Sequence, residues 1–243
     1  MKIVFAAVFV TSSVIAIGFL LVSPMFFGNI NVETKQQIML SFSVMESSDC
    51  VDWCSNLSSI LKAYDIGATV FFVGSVAEQH PECVSFFSNK VDIGSQAFST
   101  SDLTSIADYS AQLEEIRRGK LAVDTAGNLN SKVFRAPNGA TDQNIYSLLS
   151  RNDILADFSY DHQYNVFSDG QFIRFDALIF KGATVSANSI LTLEKTSQPV
   201  IIDFDNGYST EIISELVGKL KTGQFDFVNA SELTGINLTE RAE

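Results

Sequence analysis

The sequence predicts an α/β fold: an incomplete (β/α)7-type barrel preceded by one N-terminal transmembrane helix. Three observations lead there. From Gln36 onward, strand-like apolar runs alternate with amphipathic stretches, the pattern of β/α units around a parallel sheet. About seven such units are expected, enough to close or nearly close a barrel. Ile3 to Phe27 form an uncharged apolar run, which at roughly 1.5 Å per residue exceeds the ~30 Å bilayer core. Finally, 46% of the 243 residues are hydrophobic, so a full core is available and disorder is disfavoured.

The elements follow in order. Ile38 to Phe42 reads as the first strand, and Asp49 to Tyr64 as a helix with Val51, Leu57, Ile60 and Leu61 toward one face. Thr69 to Val73 is a buried strand. Val76 to Ser88 has helical spacing that Pro81 should break. Val91 to Ile93 is the third strand. Ser105 to Ala126 is the longest helical pattern, with Gly127 as its C-cap. Val133 to Arg135 is a strand, Gln143 to Arg151 a helix, and Ile154 to Phe158 a strand. Between Asp161 and Gln198 the pattern weakens to short β runs at Phe172–Arg174 and Leu178–Phe180. Val200 to Phe204, Thr210 to Lys221 and Phe225 to Phe227 read as strand, helix and strand. The chain divides into an anchor or uncleaved signal at residues 1–28, a short connector at 29–36 and a barrel domain at 37–243.

Lys2 and the amino terminus precede the apolar run, so by the positive-inside tendency the rest of the chain is exported. The run is long for a signal peptide and no A-x-A-like site follows it, which favours a retained anchor; a secreted, cleaved form is the alternative. Asn56, Asn229 and Asn237 open N-glycosylation acceptor patterns, in keeping with export. Of the three cysteines, Cys83 is expected to pair with Cys50 or Cys54 if a disulfide forms. Cys50 and Cys54 alone supply only half a zinc site. A net charge of −12 excludes nucleic acid as a partner.

In a β/α barrel, function sits at the C-terminal ends of the strands, which directs attention to Ser43–Ser48, Ser95–Asp102, Arg135–Ala140, Phe158–Tyr164 and Asp203–Tyr208. Several strings in and around these ends resemble the polysaccharide deacetylase (NodB-homology) family: Ala68-Thr69-Val70-Phe71-Phe72-Val73-Gly74, His80-Pro81-Glu82, Asp102-Leu103, Glu114-Glu115-Ile116-Arg117 and Arg135-Ala136-Pro137. The resemblance spans about Gln37 to Val228. It implies the family's barrel and, for its active members, removal of acetyl groups from sugars with zinc or a similar metal held by one Asp and two His.

Position by position, the resemblance also implies a loss. The family's T-F-D-D-G motif aligns with Ser41-Phe42-Ser43-Val44-Met45, putting Ser43 at the base and Val44 at a metal ligand. The H-S/T-x-x-H motif aligns with Gln96 to Thr100, putting Gln96 and Thr100 at the imidazole positions. The R-x-P-Y/F motif keeps Arg135 and Pro137 but has Asn138 for the aromatic. Asp161 matches a later acidic residue able to pair with Arg135, and Phe204 falls at the general-acid position. The expectation is therefore no metal and no catalytic residue, with Ser43, Val44, Gln96, Thr100, Arg135, Asn138, Asp161 and Phe204 marking a degenerate site. Asp161, His162, Asp203 and Asp205 are the residues from which a different site would have to be built. Phe98, Tyr160 and Tyr164 fall in the same loops, where they can stack on a sugar or cover the barrel mouth.

Three functional readings follow. The first is a catalytically inactive, membrane-anchored domain that binds a cell-envelope glycan or a protein partner. The second is an active carbohydrate deacetylase or other C–N hydrolase with a non-standard site. The third is a structural ectodomain of an envelope complex, which an apolar plug of Val44, Met45 and Phe204 would favour.

Overall fold

The computed structural model describes residues 35–159, 163–168, 171–182, 190, 198–223 and 225–242. The expected anchor, nearly all of the connector, and Tyr160, Asp161 and His162 lie outside the described residues. Among the described residues no helix is long and apolar enough to cross a membrane.

The chain runs β1 (Gln36–Val44), α1 (Cys50–Tyr64), β2 (Ala68–Phe72), α2 (Gly74–Gln79), α3 (Pro81–Ser85) and β3 (Val91–Ser95). It continues with α4 (Tyr109–Gly127), β4 (Leu129–Ser131), β5 (Val133–Phe134), α5 (Gln143–Arg151) and β6 (Ala156–Asp157). The last part holds β7 (Gln163–Ser168), β8 (Gln171–Asp176), β9 (Leu178–Lys181), β10 (Val200–Asp205), α6 (Thr210–Leu220), β11 (Phe225–Phe227), α7 (Ala230–Thr234) and β12 (Thr239–Arg241).

Among the described residues, ten strands share one sheet in the order β8-β7-β6-β5-β3-β2-β1-β10-β9, with β11 pairing to the start of β1. Around the sheet the strands keep chain order. This is the single winding of a barrel, open between β8 and β9, and it lacks the order reversal of a doubly wound sheet. The pairings are parallel from β9 through to β6. As expected, β1 and β2 are neighbours, with Ser43 opposite Phe71.

The expectation of about seven successive β/α units needs correction in the second half. β7 and β8 form an antiparallel hairpin on β6, so the described architecture is a half-barrel with an antiparallel flank. The signal was present: only Asp169-Gly170 separates the two strands, and that dipeptide between short β runs marks a two-residue hairpin. A second small sheet, β12 antiparallel to β4, was not foreseen.

Local chemistry sets the helix boundaries. Pro81 divides the expected helix at Val76–Ser88 by occupying the first position of α3, and His80 sits at the junction, 3.7 Å from Glu82. The longest helix starts later than its apolar spacing suggests. Asp102 caps a single 3-10 turn at Leu103–Ser105, and Asp108 then caps α4 by accepting from the Ser110 amide. At the other end the left-handed residue is Asn128, not the expected Gly127. Asn is the other residue that enters this conformation readily.

The sheet separates two apolar layers. Alternate residues of a strand face opposite sides. Ile38, Leu40, Phe42 and Val44 of β1 join Val70, Phe72, Ile202 and Phe204 in the core beneath the helices. Met39, Phe71, Ile201, Val133 and Phe158 form the interior cluster, together with Val228, Ala230 and Leu238 from the C-terminal segment. Asp92 ties that segment down. Its carboxylate accepts from the Ser231 amide at 2.6 Å and the Ser231 hydroxyl at 2.9 Å.

The acceptor asparagines differ in their surroundings. Asn56 on α1 and Asn237 before β12 are exposed. Asn229 is buried, caps α7 through the Glu232 amide at 2.8 Å, and donates its own amide nitrogen to the Lys90 carbonyl at 3.2 Å. A glycan on that nitrogen is incompatible with the folded domain, so the expectation at Asn229 is withdrawn.

One glycine sets the distance between α4 and the loop after β3. A Cβ on Gly119 would lie 2.2 Å from the Ala97 carbonyl carbon and 2.3 Å from its oxygen. Both are backbone atoms and cannot swing aside. Gly119→Ala is expected to destabilise the domain by about 3 kcal/mol, read from the midpoint of urea unfolding.

Burial raises the Asp92 pKa above its ordinary value, against the pull of its hydrogen bonds from Ser231. The folded chain thus holds this proton to higher pH than the unfolded chain does. The associated stability is present below the unfolded pKa near 3.8 and is lost as pH rises through the higher folded value. Asp92→Asn should flatten this part of the pH–stability curve, measured by thermal melts from about pH 4 to neutrality, while lowering stability throughout because one acceptor is lost.

Candidate functional site

The C-terminal ends of β1, β3, β5 and β10 bring together a buried polar cluster centred on Arg135. Its Nη2 donates to Ser41 Oγ at 2.6 Å and to Asp203 Oδ1 at 2.7 Å. Its Nη1 reaches Ser43 Oγ at 3.4 Å, and its Nε donates to the Phe158 carbonyl at 3.1 Å. Gln96 Nε2 donates to the same Ser43 hydroxyl at 2.9 Å. Arg135 and Asp203 are 1% and 5% exposed at their side chains, so this is an ion pair removed from water.

Strand registers account for the convergence. Ser41 lies opposite Asp203 across the β1–β10 pairing. Arg135 follows β5, and its amide bonds to the Ser95 carbonyl at 3.0 Å, placing it beside β3. The guanidinium carbon stands 4.4 Å from the centre of the Phe71 ring, a cation–π contact from below. Gly94 leaves room for that ring, since a Cβ there would lie 2.5 Å from Phe71 Cδ1. Gln96 is held by the loop that follows it. Ala97 takes a left-handed conformation (φ 65°), and its carbonyl accepts the Gly74 amide at 2.8 Å while Phe98 accepts the Ser75 amide at 2.9 Å.

Two further groups shape the mouth. Asn206 donates to the Met45 carbonyl at 2.7 Å and to Ser47 Oγ at 2.9 Å, and accepts the Met45 amide at 3.1 Å. This clamps the turn after β1. At the end of β6, Ser159 donates to the Asp157 carboxylate and accepts the Ala136 amide at 2.8 Å.

The eight residues singled out in the sequence do not all meet. Ser43, Gln96 and Arg135 do. Val44 is fully buried in the core beneath the helices, because the residue next to an inward Ser43 must face outward. Phe204 lies on the same outer side, stacked on Phe42 at 5.6 Å and edge-on to Tyr208 at 5.7 Å. The proposed apolar plug therefore does not form from these two residues, and Met45 is 37% exposed. Thr100 and Asn138 are exposed, and Asn138 has φ 56°. Asp161 falls outside the described residues. Phe98 is half-buried beneath the Arg118 guanidinium, at 3.6 Å.

Sequence reading missed Ser41, Asn206 and the role of Asp203. The alternation Val200, Ile202, Phe204 against Asp203, Asp205 carried the signal. Apolar residues at every second position turn the aspartates to the interior face, and Asp203 is the one level with Arg135.

Chemically, the cluster holds charge in place. Ser43 Oγ is the acceptor for two N–H donors, which opposes its activation as a nucleophile. Among the described residues no three His, Cys, Asp or Glu side chains stand together as metal ligands. A hydroxyl, an amide and a guanidinium do not fit the zinc-class ion of active family members.

The sequence profile of polysaccharide deacetylases matches residues 31–156, just over half the chain, and the protein belongs to that family. No protein of curated function matches the sequence. The fold is similar to that of a peptidoglycan deacetylase, PdaC, from Bacillus subtilis (16% identity, TM-score 0.62, covering 83% of this chain and 91% of that one). It is similar also to a family 4 carbohydrate esterase from Streptomyces lividans solved with acetate (16%, 0.58, 79% and 91%). A third similar structure is a CE4 family pseudoenzyme from Bacillus anthracis (14%, 0.63, 82% and 66%).

Removing one member of the buried pair should cost more than removing both. Arg135→Met leaves the Asp203 carboxylate uncompensated and is expected to destabilise the domain by about 3–5 kcal/mol. The double variant Arg135→Met, Asp203→Leu should recover most of that loss. A double-mutant cycle from chemical denaturation measures the coupling.

Proposed function

We propose that this protein is a membrane-anchored, extracytoplasmic member of the polysaccharide deacetylase family that has no deacetylase activity and binds a cell-envelope glycan. One observation carries the reading. At the strand ends where the family's chemistry resides, Gln96 and Arg135 both donate to Ser43, and Arg135 is neutralised by Asp203. A deacetylase must polarise an amide carbonyl and activate a water that is otherwise scarcely ionised at neutral pH. Ser43, Gln96 and Arg135 offer a divalent cation of the zinc class neither an imidazole nor a carboxylate. The fold tolerates such a loss: the neighbour from Bacillus anthracis is described as a pseudoenzyme, and a mutant of it as having restored activity. The apolar run Ile3–Phe27 supports anchoring at the envelope.

The glycan is favoured over a protein partner by family membership. Restoring chemistry is not a matter of point reversal. Val44→Asp would put a carboxylate in the apolar core, costing several kcal/mol (about 3 or more), rather than at the mouth.

The full chain, purified in detergent, should hold no stoichiometric metal and release no acetate from N-acetylated chitooligosaccharides. It should bind those oligomers saturably in calorimetry. Chelator-sensitive acetate release would establish an active hydrolase instead. Absence of glycan binding, with the domain folded, would favour a structural role in an envelope complex.

A further inference from the structure

All three cysteines of the chain meet in one place, away from the strand ends. Cys50 opens α1, Cys54 follows one helical turn later, and Cys83 lies on the short helix α3. All are buried in the core beneath the helices and all are free thiols. The Cys83 thiol is hydrogen-bonded to Cys54 and also to Cys50. Cys50 and Cys54 lie on the same face of α1, so Cys83 is the sulfur they share. Free cysteines often act simply as small apolar side chains. That role does not require one cysteine to be bonded to both of the others while no further cysteine exists in the chain.

We propose that Cys83 forms a disulfide with Cys54 that staples α1 to α3, and that Cys50 is an alternative partner for the same sulfur. The oxidant is a small-molecule or protein disulfide, written RSSR. The Cys83 thiolate attacks one sulfur of RSSR, giving a Cys83–SR mixed disulfide and releasing RS⁻. Cys54 gives its proton to RS⁻ and attacks the Cys83 sulfur, expelling the second RS⁻, which takes the Cys83 proton. Two thiols and RSSR thus become one protein disulfide and two RSH. The exchange takes place while the chain folds or on local opening, before the helices close over the sulfurs.

Cys83 takes the attacking role because both thiols of α1 can reach it, so either can resolve its mixed disulfide. Trp53 adjoins Cys54 and is the single tryptophan of the chain, so its fluorescence reports the bond directly.

The full chain is refolded in a mixture of glutathione and glutathione disulfide, trapped with N-ethylmaleimide and mapped without reduction by mass spectrometry. The expected product is a Cys54–Cys83 peptide with Cys50 alkylated, together with quenched Trp53 emission that recovers on reduction. Cys54→Ala should move the link to Cys50–Cys83, and Cys83→Ala should abolish any internal link. Alkylation of all three cysteines in the wild-type chain after oxidative refolding would overturn the proposal, as would a Cys50–Cys54 bond or disulfide-linked dimers. The wild-type map decides the matter even where a variant fails to fold.

Discussion

A guanidinium cannot be buried inside a sheet without a counter-charge, and the interior of this half-barrel is organised around that requirement. Arg135 enters from the end of β5, rests on the Phe71 ring and is neutralised by Asp203 across the sheet. Its remaining donors reach two serines and a backbone carbonyl. The cost of removing a charge from water is large unless its hydrogen bonds are also replaced. Four strands must therefore keep their register for the site to exist. Gly94 and Gly119 serve the same arrangement, one by admitting the Phe71 ring and the other by letting the loop after Gln96 approach α4.

The same interaction shows how polar groups at the strand ends of this family's scaffold can be satisfied from within the chain. A cleft lined by unpaired carboxylates and imidazoles needs a metal or water to satisfy it. Here Ser43 accepts from Gln96 and Asp203 accepts from Arg135. Such a network stabilises the strand ends. The turn after β1 is held independently by Asn206, whose amide pairs with both backbone groups of Met45.

Much of the fold was legible in the sequence because its signals are local. Alternation and apolar runs located β1, β2, β3 and β10, and Pro81 marked the break between α2 and α3. Gln143–Arg151 and Phe225–Phe227 match their expected limits. The misses have physical causes. Asp108 began α4 later than apolar spacing alone suggests, because a side-chain cap overrides periodicity. The β7–β8 hairpin and the β4–β12 pairing depend on partners distant in sequence or on a short turn signal. Of the site, Ser43, Gln96 and Arg135 were identified by motif position, whereas Asp203 was displaced by one residue in favour of Phe204.

That one-residue difference separates what each level decides. By itself the sequence determined the element types, the family, the placement of functional positions at strand ends and the scarcity of metal ligands in a chain with two histidines. These depend on composition and on periods of two or 3.6 residues, which need no knowledge of neighbours. Only the tertiary structure decided which side of each strand faces the interior. It therefore decided that Val44 and Phe204 belong to the outer core while Ser41 and Asp203 complete the site. It also decided that Cys83 meets both thiols of α1. The reason is geometric: register between strands and contact between helices are relations among segments far apart in the chain, set by burial and pairing that no single segment encodes.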